Sequence, residues 1–216
     1  KKAEKLLKKA KPRINDLENM RAKAFSITGL YYYYQKNKNR SLLPMIKKLA
    51  NSLVKEYKEN SSHDWEWFEE RLTYSNSKLP EALFLAYRLT KEKKYLEVAE
   101  KTFNFLSDIV FIDDELLPVG QDGWFEKGGE RALFDQQPID AATMVQTCLA
   151  AYNATNDHHY YEKAVLAFNW FLGRNKLKQN VYNESTGGCF DGLTKSSPNL
   201  NQGAESTISY LLARLM

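Results

Sequence analysis

An internal repeat limits what this chain can fold into more than any other feature. The run Ala86-Tyr87-Arg88-Leu89-Thr90-Lys91-Glu92-Lys93-Lys94-Tyr95-Leu96-Glu97-Val98-Ala99 is answered by Ala151-Tyr152-Asn153-Ala154-Thr155-Asn156-Asp157-His158-His159-Tyr160-Tyr161-Glu162-Lys163-Ala164. Tyr, Thr, Tyr, Glu and Ala recur at one constant offset, and Phe103, Phe105 and Leu106 are loosely echoed by Phe168, Trp170 and Phe171. A weaker copy runs from Tyr31 through Asn37 to Leu53. Each copy reads as a helix, a short polar turn and a second helix, so the chain is a series of helical hairpins.

The pattern predicts first helices over 18–35, 78–90, 138–154 and 203–215, and second helices over 41–58, 93–107 and 158–173. First helices are apolar on most sides, as in Ala82-Leu83-Phe84-Leu85-Ala86, which calls for burial. Second helices carry one apolar stripe, such as Tyr95, Val98, Ala99, Phe103 and Leu106, with charges opposite. Inner helices ringed by outer helices make an all-α fold, an α/α toroid or an arc of one with about seven to eight helices. Residues 1–17 form a basic N-terminal helix or linker, its helix stopped by Pro12, and 18–216 form the hairpin domain.

Net charge is +4, and seven basic residues fall in the first 13 positions, which leaves the remainder slightly acidic and argues against a broad nucleic-acid surface. No apolar run approaches the ~18 residues of a membrane span. Cys148 falls in an apolar helix and Cys189 in a Gly-rich loop, too few for a disulfide framework or a zinc set. A reducing, cytoplasmic setting is the simplest expectation. The chain starts at Lys1 rather than Met, so the absence of a visible signal peptide says little about location.

Links inside hairpins are short, and links between hairpins are long: 59–77, 108–137 and 174–202. Helices alternate direction, so all the long links gather at one end, where the inner helices begin. Loops beyond ~12–15 residues without their own structure are uncommon unless functional. Helix N-termini at that end also favour anions and hydrogen-bond acceptors.

Three polar, aromatic-bearing constellations lie there. The first holds His63-Asp64-Trp65-Glu66-Trp67-Phe68-Glu69, then Tyr74 and Asn76. If helical, it sets Trp67 and Phe68 on the side of Asp64 and Trp65 beside Glu69. An indole can stack on the C–H face of a sugar while an acid takes its hydroxyls; the plainer role for these tryptophans is to plug the core. The second holds Gln121, Asp122 and Trp124 among glycines, then Phe134-Asp135-Gln136-Gln137-Pro138, with Pro138 in the first turn of a helix capped near Gln136 or Gln137. Asp135 has an ordinary alternative role as a helix cap. The third holds Asp191, then Asn199 to Ser206, with Asn201 and Glu205 at the start of the last helix. Glycoside chemistry needs two carboxyl groups about the scissile bond. Asp135, Asp64 and Glu205 are the catalytic candidates, with Asp122, Asp140 and Asp191 behind them. Trp65, Trp67, Tyr74, Asn76, Trp124, Gln136, Gln137, Asp191 and Asn201 are the candidate substrate contacts. The expected ligand is a saccharide. No cofactor is expected, since there is no Gly-x-Gly-x-x-Gly, phosphate loop or Gly-x-Ser-x-Gly elbow. No metal is expected either, since His158-His159 lies at the opposite end.

The motifs Asp64-Trp65-x-Trp67-Phe68-Glu69-x-x-Leu72-Thr73-Tyr74-x-Asn76-x-x-Leu79-Pro80-Glu81-Ala82, Phe134-Asp135-Gln136-Gln137-Pro138 and Asn201-x-Gly203-Ala204-Glu205-Ser206-Thr207 bring in a resemblance. Over roughly residues 20–216 the chain resembles the helical region that follows, or is encoded beside, bacterial and archaeal family-4-type glycosyltransferases of mannoside or glucoside metabolism. That resemblance implies the six-hairpin glycosidase toroid, shared with glycoside hydrolases and sugar epimerases, and a glycosyltransferase domain as a partner in the same or an adjacent chain. Asp140 stands where that group more typically has Glu. The chain supplies about three and a half hairpins where a full toroid needs six, so either the rest lies upstream or a partner closes the arc. It has no Rossmann half to bind a nucleotide sugar.

Fold kinship does not assign a reaction. The expected function is glycoside hydrolysis or phosphorolysis on mannose- or glucose-type saccharides. A non-catalytic sugar-binding module or a helical scaffold stands as its alternative. Isomerisation of a free sugar would call for a histidine, for which only His63 qualifies.

Overall fold

The structure, a computed structural model, describes residues 2–216. Eight α-helices carry the chain: α1 (Lys2–Ile14), α2 (Met20–Asn37), α3 (Leu43–Asn60), α4 (Lys78–Thr90), α5 (Lys93–Val110), α6 (Pro138–Thr155), α7 (His158–Asn169) and α8 (Ala204–Arg214). The even-numbered helices α2, α4, α6 and α8 pack side by side in order. Helices α3, α5 and α7 each back onto the inner helix before them. The result is an arc of an α/α toroid.

The repeat has a local cause. Three inner helices end alike, on a left-handed residue whose N–H donates to a tyrosine carbonyl four positions back: Lys38 to Tyr34, Lys91 to Tyr87 and Asn156 to Tyr152. In the two strong copies a threonine closes the turn. Thr90 and Thr155 donate their hydroxyls to the Ala86 and Ala151 carbonyls and accept from the N–H groups of Glu92 and Asp157. The recurring Tyr-x-x-Thr is therefore a helix stop followed at once by a helix start.

The central inner helices α4 and α6 are buried on most sides, and from Lys78 to Ala86 every residue of α4 is buried, while α2 and α8 at the ends of the arc bury one face only. Phe84, Phe103 and Tyr160 meet edge to face at 5.1–6.3 Å and lock α4, α5 and α7 together. Outer helices bury only their stripe. Helix α1 leans on the core through Ile14 and Leu7.

Three details depart from expectation. Pro12 does not stop α1, which runs on to Ile14; the ring sits in the last turn, where exposed carbonyls reach water. The segment after α3 is not helical. The long links instead carry two-residue antiparallel ladders, such as Arg71–Leu72 against Phe125–Glu126 and Gly192–Leu193 against Pro198–Asn199. Finally, Ile208, Leu211 and Leu212 of α8, and Leu215 just after it, stay exposed, because among the described residues no outer helix backs it.

Candidate functional site

The long links do gather at the head of the inner helices, and they form two polar regions there. Asp140, in the first turn of α6, anchors one region. Its Oδ1 accepts from the Ser75 N–H at 2.7 Å. Its Oδ2 is buried with no hydrogen-bond partner. Burial dominates and pushes this carboxyl up to about 7, against the pull of the Ser75 N–H and Arg21, and with a push from Glu205. A small cavity of about 20 Å³, room for roughly one water, is lined by Asp140, Asn76 and Ser77 among apolar neighbours.

Arg21, in the first turn of α2 and 6% exposed, braces the same corner. Its Nε donates to the Tyr74 carbonyl at 2.8 Å and its Nη2 to Asn76 Oδ1 at 3.1 Å. Nη2 also lies 2.7 Å from Glu69 Oε1, an ion pair by distance but not aligned as a hydrogen bond. The half-exposed Tyr74 ring sits 5.3 Å from the guanidinium.

A separate concave cleft of about 690 Å³ lies between α2, α4, α6 and α8. Phe25, Tyr32, Ile139 and Ile208 make its apolar walls; Lys78, Thr143, Gln146 and Glu205 make its polar floor and rim. Lys78 Nζ donates to Glu81 Oε2 at 2.6 Å and to Gln146 Oε1, and the Phe25 ring lies 5.4 Å away. Burial pushes the Glu81 carboxyl up even with Lys78 beside it. The size and the mix of apolar wall with few polar groups are those of a small-molecule site.

The second region is a shallow dish of about 270 Å³ lined by Gln121, Asp135, Gln136, Gln137, Asp191 and Asn199. Gln137 donates to Gln121 and is the N-cap residue of α6, as the sequence implied. Asp135 is exposed. Asp191 accepts from Ser206 Oγ at 2.6 Å, from the Gly203 N–H at 2.8 Å and from Asn201 Nδ2. Burial alone would raise its carboxyl, but these donors prevail and hold it below the usual carboxylate range. It thereby ties the preceding loop to the start of α8.

The sequence candidates thus scatter. Asp135, Gln137, Asp191 and Asn201 come together at the dish, while Glu205 lines the cleft and Asp140 lines the small cavity, near enough to Glu205 to feel its charge. Asp64 is 95% exposed, paired with His63 and apart from both. Trp67 is fully buried, and Trp65 nearly so, against Phe105 and Phe125, so neither indole offers a face to a sugar. Gln136 is spent inside the fold, accepting from Trp170 Nε1 and donating to the Leu133 carbonyl. Asn76 is spent on Thr73 and Arg21. Trp124 is half-buried with φ at 58°, a backbone region unfavourable for a bulky residue.

Arg21, Lys78 and Gln146 are not among the sequence candidates, and Asp140 stands among them behind Asp135, Asp64 and Glu205. One signal was present: Ser75, Asp140 and Glu205 are spaced by the same offset that relates Tyr87 to Tyr152. Equivalent positions of three successive repeats therefore converge on one point. Among the described residues no three His, Cys, Asp or Glu side chains are grouped to hold a metal ion. Both cysteines are free and buried, and none of the described helices is long and apolar enough to cross a membrane.

Neither a protein-family model nor a curated protein sequence matches this chain. Solved structures do resemble it. An unsaturated glucuronyl hydrolase from Streptococcus agalactiae superposes with a TM-score of 0.63 at 19% identity, over 98% of this chain and 53% of its own. A GH76A α-1,6-mannanase from a Salegentibacter species gives 0.61 at 16%, over 91% and 54%. A D-mannose isomerase gives 0.63 at 13%, over 90% and 55%. This chain therefore spans about half the length of each of these proteins, and it shares their fold, forming an arc of an α/α toroid.

Proposed function

We propose that the cleft is a saccharide site and that Asp140 handles its proton. One observation carries this reading: a carboxyl held near neutrality by burial, with one oxygen unpartnered, lies close enough to Glu205 on the wall of the cleft of about 690 Å³ to feel its charge, and follows Ile139 of the same wall. A general acid or base works best when its pKa lies close to the working pH. In glycoside hydrolysis Asp140 would give its proton to the leaving oxygen as the C–O bond breaks. Glu205, as a carboxylate, would take a proton from the attacking water. The role falls on Asp140 rather than Asp135, which lies exposed in the dish, or Asp64, which faces solvent.

The charge pattern favours neutral sugars of the mannose or glucose type. Both cations near the site already have carboxylate partners, Lys78 with Glu81 and Arg21 with Glu69. The Glu205 carboxylate on the cleft wall would repel a uronate carboxyl. Isomerisation gains no support from His63, which is exposed beside Asp64. A glycosyltransferase in the same or a neighbouring chain stays a proposed companion on the sequence resemblance alone, to be checked by co-purification.

The test is incubation with a panel of neutral mannosides and glucosides and matched uronides. Expected are products from a neutral glycoside with the native chain and none with Asp140→Asn. Products from uronides alone would overturn the neutral-sugar reading, and undiminished turnover in Asp140→Asn would remove that residue from the mechanism.

A further inference from the structure

We infer that Arg21 is a positioning residue, which pins the 73–76 turn so that the Ser75 N–H is presented to Asp140. The inference rests on the reading of Asp140 as the proton-handling group.

Arg21 is oddly placed for a cation. It lies in the first turn of α2, where the helix dipole disfavours positive charge, and it is almost wholly buried. Three contacts offset that cost, and all lead to one short stretch of chain. Nε holds the Tyr74 carbonyl, Nη2 holds Asn76 Oδ1, and Glu69 balances the charge. Asn76 in turn closes the turn on itself, accepting from the Thr73 N–H at 2.9 Å and donating to the Thr73 carbonyl at 2.6 Å.

Ser75 sits between these two anchor points, fully buried, with φ at 48°. A serine in this left-handed region is strained and persists only where the surroundings dictate it. Here the surroundings are the Arg21 fork and the Asn76 clasp. The consequence is that the Ser75 N–H points at Asp140 Oδ1. A guanidinium can reach a carbonyl, an amide oxygen and a carboxylate together because its donors are fixed in a plane. An ammonium in its place keeps the charge and loses the fork.

The groups acting on the Asp140 carboxyl are the Ser75 N–H from the turn, Arg21 from α2 and Glu205 from α8. Charge and positioning therefore separate in the variants. If Arg21 acted only as a charge, Arg21→Lys would leave Asp140 unmoved and Arg21→Met would raise it. If Arg21 positions the turn, both substitutions raise it, because both release the Ser75 N–H.

The experiment is a carbon NMR titration of the aspartate carboxyls in the full chain, with the Asp140 signal assigned from Asp140→Asn. Expected is an upward move of the Asp140 midpoint in Arg21→Lys and Arg21→Met, with Asp191 unmoved. Asn76→Ser, which keeps Arg21 but removes its acceptor, is expected to shift Asp140 the same way and keeps the test alive if the Arg21 variants do not fold. An unchanged Asp140 midpoint in Arg21→Lys, or in Asn76→Ser, overturns the inference. The titration needs no substrate, so a failure of the saccharide reading, seen as absent turnover, stays distinguishable from a failure of this one.

Discussion

Asp191 and Asp140 both serve the head of an inner helix, yet their surroundings act in opposite senses. Asp191 is wrapped by the Ser206 hydroxyl, the Asn201 amide and the Gly203 N–H, and these donors hold it ionised. Asp140 has a single donor, an unpartnered oxygen and the Glu205 carboxylate nearby, and burial holds its carboxyl near neutrality. The first arrangement secures a loop. The second leaves a carboxyl poised to hold a proton, as the proposed function requires, and a strained, destabilised arrangement of that kind is a common trade for activity. The dish and the cleft differ too: the dish is small and largely polar, while the cleft is larger and mostly apolar, with Glu205 on its wall and the enclosed Asp140 close by.

The largest expected difference is in turnover. Asp140→Asn should lower it by roughly 10²–10⁴-fold, the usual worth of a positioned acid or base. Asp135→Asn, in the dish, should change it by less than about tenfold, comparable to a lost exposed contact. Steady-state rates on whichever neutral glycoside is cleaved check both, and the reverse ranking would move the site to the dish.

Next comes stability against pH. Asp140 is raised above its unfolded value, so the native state holds a proton that the unfolded chain releases. Its contribution is present below about pH 4 and is lost as pH rises toward about 7. The loss is up to about 4 kcal/mol, an order-of-magnitude figure for a buried group. Asp140→Asn should therefore melt several degrees above the native chain at pH 8, with the gap closing toward pH 4. An equal gap at both values would show that Asp140 does not titrate in this window.

Asp191 should show the opposite sign. Its carboxyl is depressed, so its contribution is present above the usual carboxylate range and is lost as pH falls below it. Asp191→Ala should cost about 1–2 kcal/mol at neutral pH, as for a lost helix cap, with little change in turnover per folded molecule. Chemical denaturation at pH 7 measures this. The smallest effect expected is from Gln137→Ala, an exposed contact whose loss should change stability by less than about 0.5 kcal/mol. A large loss of saccharide binding in that variant would again favour the dish.

The repeat made the helices legible, because a Tyr-x-x-Thr stop closed by its own threonine is a purely local device. The stacking of inner on outer helices followed from burial pattern alone. The site was harder to read. Trp65 and Trp67 looked like sugar platforms, but residue type does not say whether an indole faces a ligand or Phe105. The amides of Gln136 and Asn76 were also ambiguous, since only the fold decides whether Trp170 and Arg21 take them first. Asp140 was visible as a carboxylate; its enclosure was not, because that depends on Ser75 and Arg21, which approach it from other repeats. The two-residue ladders in the long links were equally hidden, being set by pairing across distant segments rather than by local alternation.

A crystal structure of the chain with a neutral monosaccharide tests the central claim most directly. Expected is a sugar in the cleft, with its ring near Glu205 and a hydroxyl linked to Asp140 directly or through one water. A sugar seated instead on Asp135 and Gln137 in the dish, with the cleft free of it, would contradict the assignment of the site to Asp140.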